Sequence, residues 1–217
     1  MLNKKSSLDF NHLSIEPLTE YSILASSALF FQSFESKFAK LNIPSKTKRQ
    51  LLVSELWKLQ FYYQSEQQFV VMYQGNAIAA FGLAIANNKQ LPKFKYWETM
   101  FKLSRQFGVI NTLKATWICS LFKYTPKENE AYLSYIGVDP QYQGKGIGKY
   151  VIHWIIEHVK KSSQANTLSL YVAQENAGAK KLYENLGFSI EKYEKSNLTK
   201  FSIGFYGWFY MSYAISS

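Results

Sequence analysis

Ala131-Tyr132-Leu133-Ser134-Tyr135-Ile136-Gly137-Val138 runs through Asp139-Pro140 into Gln143-Gly144-Lys145-Gly146-Ile147-Gly148, and the fold turns on how these residues are read. The first eight are apolar, aromatic and β-branched enough for a strand, and Pro140 ends it because proline has no N–H to give to a ladder. Three glycines at alternate positions follow. Beyond them Ile147, Val151, Trp154, Ile155 and Val159 fall on one helical face. A strand that enters a helix through such a turn leaves main-chain N–H groups bare and points the positive end of the helix dipole forward, which suits a phosphate. Lys145 and Lys149 add charge beside it. Taken alone, the turn reads equally well as a tight strand-to-helix connection.

A second block lies downstream. Leu168-Ser169-Leu170-Tyr171-Val172 has the pattern of another strand, and Asn176, Ala179, Leu182 and Tyr183 fit a short helix that stops at Gly187-Phe188. Val138-x-Pro140 leading into Gln143-x-x-Gly146-x-Gly148, followed by Asn176-x-x-Ala179-x-x-Leu182-Tyr183-x-x-x-Gly187-Phe188, resembles the acyl-CoA-binding core of the GCN5-related N-acetyltransferase (GNAT) superfamily in order and spacing.

The resemblance implies an α/β (α+β) fold built on a mixed, mostly antiparallel sheet of six to seven strands, splayed between strands 4 and 5, with helices on both faces. It also implies the chemistry: acetyl-CoA as acyl donor, and direct attack by a primary amine, carried by a small molecule or a peptide, on the thioester. By the same resemblance the cofactor is held by Ile136, Gly137 and Val138 at the end of the fourth strand, by Gln143, Gly144, Lys145, Gly146, Ile147, Gly148 and Lys149, and by Asn176 and Tyr183. Backbone N–H groups around Val138 polarise the thioester, with Gly137 easing a local irregularity. Tyr183 matches the family position that protonates the departing sulfur, although it also fits as packing under its helix, and Asn176 also fits as a helix N-cap. Many members carry a glutamate where this chain has Tyr132. Glu130, two residues earlier and on the same side of an extended strand, is the candidate base, with Glu128 behind it and a solvated strand end as the plain alternative.

The composition sets wider limits. A chain of 217 residues, 47% hydrophobic and 18% charged, suits one folded domain, here residues 1–217. Cys119 is the single cysteine and lies in the apolar run Trp117-Ile118-Cys119, so packing and a reducing cytoplasm are expected. Lys4-Lys5 is followed by Asp9, Asn11 and His12, unlike a secretory signal, and no apolar run is long enough to span a bilayer. His12, His153 and His158 do not converge, so no metal is expected. The net charge of +10 admits an anionic cofactor, a nucleic acid or a membrane surface. Its lysines are dispersed, and nucleic acid is not expected as a partner; a homodimer is compatible with the resemblance. Two other readings stay open: a GNAT-fold binding or regulatory module without catalysis, and a peripheral membrane protein.

Elsewhere in the chain, His12 to Leu18 is read as a first strand. Thr19, as cap, opens a helix to Leu41, and a second helix covers Lys46 to Tyr62 with Leu51, Leu52, Leu56, Leu59 and Phe61 as its core stripe. Residues 68–73 and 77–85 flank Gly75-Asn76 as a hairpin. Residues 86–129 form a basic insertion between strands 3 and 4, with two helices broken near Gly108 and lysines from Lys89 to Lys127. Strands at Ser189–Lys195 and Phe205–Tyr213 close the sheet, with Asn197 and Lys200 in a polar connection.

Overall fold

The computed structural model describes residues 8–63, 66–85, 93–121, 123–197, 199–200 and 204–215. The opening of the insertion, with Lys89, falls outside them, as does the Phe61 side chain. Seven strands form one sheet in the order β1-β2-β3-β4-β5-β7-β6, from β1 (Leu13–Pro17), β2 (Gln67–Tyr73), β3 (Asn76–Ile85), β4 (Glu130–Val138), β5 (Thr167–Ala173), β6 (Ser189–Lys195) and β7 (Gly207–Ala214). All neighbours are antiparallel except β4 and β5. One face carries α1 (Ile23–Phe38), α2 (Lys46–Tyr63), α3 (Lys93–Phe107) and α4 (Val109–Ser120), and the other carries α5 (Ile147–Ser162) and α6 (Ala177–Asn185).

The first helix starts later than its apolar pattern suggests. Ser22 Oγ accepts from the Thr19 N–H at 3.0 Å and Ser22 N–H donates to Thr19 O, a turn that takes Thr19 out of the capping position and leaves Ser22 as N-cap. In α2, Leu52 and Leu56 are buried as expected but Leu51 is exposed, and Trp57 fills the core instead. Trp57 stacks on Phe30 of α1 at 4.2 Å, and Tyr135 of β4 meets both rings edge-on at 4.8 and 5.5 Å. The polar connection after β6 is helical at Asn197, Thr199 and Lys200.

Tyr135 reaches that layer because β4 carries one extra residue. In the ladder with β3, Gly82 pairs with Tyr135 but Leu83 pairs with Leu133, so Ser134 bulges out and the side-chain alternation flips. Leu133 packs on the α5 side while Tyr135, two positions on, packs on the α1 side. A Cβ on Gly82 would lie 2.5 Å from the Tyr135 ring, so only glycine leaves that ring room. The irregularity therefore sits at Ser134 and not at Gly137, which pairs regularly with Ala80. Gly137 lacks a side chain for another reason: a Cβ there would meet Ser33 Oγ at 2.9 Å and the Leu29 carbonyl at 3.0 Å, where α1 crosses the sheet.

Candidate active site

The parallel ladder between β4 and β5 is short. Glu130 to Leu133 pair with Thr167 to Leu170, and beyond these residues the strands part. The other edge of β5 stays paired with β7 to its end, so the parting opens a gap on β4's side only. A cavity of about 760 Å³ occupies it, walled by Leu133–Ile136 and Val138 on one side and Leu170–Ala173 on the other. The N–H groups of a strand point alternately to its two edges. Since Asp139 donates its N–H to Ile78 O of β3 at 2.9 Å, those of Ile136 and Val138 face the gap. Gln143 Nε2 donates to Val138 O at 2.9 Å and ties the glycine turn to the strand end.

The turn is built as its sequence requires. Gly144 and Gly146 have φ of +72° and +89°, a region costly for other residues, and Gly146 is the N-cap of α5 with no side-chain cap, the Phe10 ring lying 3.2 Å from where its Cβ would be. A Cβ on Gly148 would meet Leu182 Cδ2 at 3.0 Å, so this glycine lets α5 approach α6. Lys145 Nζ lies 5.1 Å over the Tyr142 ring, Ile147 is buried under α5, and Lys149 is exposed. Asn176 caps α6, accepting from the Ala179 N–H at 3.1 Å, and lines the cavity. Tyr183 lines it too: it is buried beside Phe188, and burial raises its hydroxyl to about 12, so it stays protonated at neutral pH.

Of the expected cofactor residues, the cavity wall thus gathers Ile136, Val138, Gln143, Asn176 and Tyr183, with the Gly144–Gly148 turn outside it. Glu130 is placed differently. It is not among the lining residues, and its carboxylate accepts from the Ser169 hydroxyl, from Tyr210 Oη at 2.6 Å, from the Lys127 N–H at 2.6 Å and from Tyr124 Oη at 3.2 Å. Burial alone would raise its pKa, but these four donors outweigh it and hold the carboxyl below the usual range. Those bonds fill the carboxylate with structural partners.

Four groups that sequence reasoning passed over line the cavity: Lys37, Tyr124, Tyr171 and Glu194. Glu194 is the only carboxylate among the described lining residues. It accepts from Tyr171 Oη at 3.2 Å, and the bond from Lys192, against opposing burial, keeps it ionised. Lys37 is buried, its Nζ 4.4 Å over Trp208, 4.9 Å over Phe205 and 5.1 Å over Phe34, and burial lowers it to about 7 against a raising contribution from Glu175. A local signal existed, since Lys37 interrupts the apolar stripe Phe30, Phe34, Phe38, Leu41. Cys119 is buried and pushed up to about 12, an unreactive packing thiol. No group of metal-binding side chains occurs among the described residues.

Comparison with known proteins agrees with this geometry. The model of the acetyltransferase (GNAT) family matches residues 37–188. The [ribosomal protein bS18]-alanine N-acetyltransferase of Escherichia coli (strain K12) is 44% identical over 61 residues, which are 28% of this chain and 40% of that protein, so the match spans well under half of the relative's length. Its crystal structure superposes with a TM-score of 0.51 at 19% identity, covering 94% of this chain and 95% of that one. A GCN5-related N-acetyltransferase from Kribbella flavida gives 0.59 at 13% identity, covering 95% and 99%. These superpositions speak to fold, whereas the family match takes in both the glycine turn and the Asn176–Phe188 block. This chain belongs to the GNAT acetyltransferase family.

Proposed function

We propose that this protein is an acetyl-CoA-dependent N-acetyltransferase that moves an acetyl group to a primary amine by direct attack. The observation that carries this reading is the coincidence, at one end of the sheet, of the parted β4 and β5 with a helix N-terminus left bare by Gly146. Two positive-φ glycines and an N-cap with no side chain of its own leave main-chain N–H groups of the turn uncapped, which suits a diphosphate. The gap fits the narrow pantetheine arm. Bound acetyl-CoA supplies the activated acyl carbon.

The chain's own groups do the rest. The Ile136 and Val138 N–H groups face the gap and stabilise the charge that grows on the thioester oxygen. As the amine nitrogen forms its bond to the acyl carbon, the nitrogen's proton passes to Glu194, directly or through the Tyr171 hydroxyl that donates to it. The C–S bond breaks, and the thiolate takes the proton that Tyr183 keeps at neutral pH. Glu130 has no part in this transfer. The buried, unreactive Cys119 argues for direct attack over an acyl-cysteine route. The single cysteine suits a cytoplasmic setting.

Titration calorimetry with acetyl-CoA is the direct test. Binding is expected, and Gly146→Val should abolish it while the melting curve still reports a folded protein. Tyr183→Phe should lower kcat at least tenfold with little change in acetyl-CoA affinity. A folded wild type that does not bind acetyl-CoA refutes the reading, and full turnover by Tyr183→Phe removes that tyrosine from the mechanism.

A further inference from the structure

The hairpin of α3 and α4 has two apolar faces, and the core uses only one. Met100, Leu103 and Phe107 of α3 and Ala115, Ile118 and Cys119 of α4 are buried against α1 and α2. Trp97 (68% exposed), Phe101 (67%), Val109 (58%), Ile110 (69%) and Leu113 (57%) stand in solvent. They sit on a well-anchored element. Asn111 donates to Phe107 O and to Asn42 O while accepting from the Asn42 N–H, pinning the turn at Gly108 to the loop after α1. Thr116 Oγ donates to Met100 Sδ at 3.6 Å, so the flanks carrying those two residues meet. Trp97 lies one turn before Met100 and Leu113 one turn before Thr116, so the exposed residues of both helices fall along one outer strip.

The strip carries positive charge beside it: Lys102, Arg105 and Lys114 are exposed on the same hairpin, against one carboxylate, Glu98, among the described residues 96–121. The Arg105 guanidinium lies 5.9 Å over the Phe101 ring, and Phe101, Lys102, Arg105 and Gln106 line a shallow depression of about 360 Å³. Lys102 and Arg105 thus share a depression with an exposed aromatic ring, a pairing that suits a phosphate beside an apolar surface. Such a surface suits one partner best: a bilayer whose headgroups are anionic and whose acyl boundary accepts Trp, Phe, Ile and Leu. A second copy of the chain fits poorly, because a self-complementary contact sets Lys102, Arg105 and Lys114 against their own kind. Nucleic acid has no use for Val109, Ile110 and Leu113.

We propose that the α3–α4 hairpin is a docking face for anionic lipid bilayers, with Trp97, Phe101, Ile110 and Leu113 entering the interface and Lys102, Arg105 and Lys114 meeting the phosphates. No helix among the described residues is long and apolar enough to cross a membrane, so attachment is to the surface. The chain just after α4, at Leu121, Lys123 and Tyr124, lines the cavity between β4 and β5, so docking brings the membrane close to that cavity.

The test is sedimentation of the full-length chain with large unilamellar vesicles of phosphatidylglycerol and phosphatidylethanolamine, compared with pure phosphatidylcholine, at low and high salt. Binding is expected only to the anionic vesicles and should weaken as salt rises. The triple variant F101S/I110S/L113S, which changes only exposed side chains, should lose at least tenfold in partitioning, whereas L51S, an exposed leucine elsewhere, should not. Absence of sedimentation, or equal sedimentation of the triple variant, overturns the proposal. So does displacement by millimolar inorganic phosphate alone, a dimer dissolved by the triple substitution, or tighter binding to an oligonucleotide than to vesicles. None of these readouts involves acetyl-CoA, so the result stands apart from the proposed activity.

Discussion

Replacing Glu130 with glutamine separates its two possible roles, as proton acceptor or as anchor. The carboxylate has one oxygen on Ser169 and Tyr210 and the other on the Lys127 N–H and Tyr124. The Lys127 N–H cannot rotate, so the glutamine carbonyl must stay with it and the new NH₂ turns to the two hydroxyls, which can swing to accept. Four bonds to a charged acceptor become bonds to or from a neutral amide. At a difference of roughly 0.5–1 kcal/mol each, Glu130→Gln should cost about 2–4 kcal/mol of stability. Glu130→Ala strands all four donors and should cost more. The pH dependence carries the same information. A carboxyl held below its unfolded pKa adds stability that is fully present above the ordinary glutamate range and is lost as pH falls through the folded value. The wild type should therefore lose its advantage over Glu130→Gln on acidification. Urea unfolding at neutral and mildly acidic pH measures this. CoA release, assayed below the variant's unfolding transition, should stay within about threefold of wild type, because general-base loss is the effect worth about 10²–10⁴. A glutamine variant of wild-type stability that is slower by a hundredfold, with its acidic pH limb altered, would refute the anchor role.

Two further perturbations follow from the same geometry. Gly137→Ala drives a Cβ to 3.0 Å from the Leu29 carbonyl, a main-chain atom that cannot swing aside, so denaturant unfolding should show a loss of about 1–3 kcal/mol that Ser33→Gly does not restore. Lys37→Met should change the pH dependence of stability. Because burial lowers the folded lysine to about 7 from 10.5, the unfolded chain binds more protons between those values, and wild-type stability should rise relative to the variant across that window. The gain should reach about 2–3 kcal/mol by about pH 9, and a flat difference would mean that the rings of Phe34, Phe205 and Trp208 hold the ammonium charged.

What could be read from the sequence is what short-range chemistry decides. The Gly75 hairpin, the break at Gly108, the bare turn at Gly144 and Gly146 and the Asn176 cap all depend on neighbours within a few positions, and each stands where the pattern puts it. The base is another matter: strand parity points to Glu130, but the partners of its carboxylate, Ser169 and Tyr210, lie 39 and 80 residues away, and no local pattern announces them. Lys37 shows the intermediate case. Its place on an apolar stripe is visible in the sequence, but one of the rings under its ammonium belongs to Trp208, on a strand at the far end of the chain.

The bulge at Ser134 joins these threads, because it serves the core and the cavity together. Without the extra residue, alternation from Leu133 would send Tyr135 to the α5 side and leave Trp57 and Phe30 without their edge-on partner. With it, Tyr135 completes the aromatic layer that seats α1 on the sheet. The same flip sets the phase of every later residue in β4, and so decides that the N–H groups of Ile136 and Val138, rather than those of Tyr135 and Gly137, look into the gap. Gly137 then faces α1, where a side chain has no room, and Gly82 clears the ring opposite. Deleting the extra residue would turn Tyr135 out of the core and the polarising donors away from the cavity in one step, so in this strand stability and chemistry cannot be tuned separately.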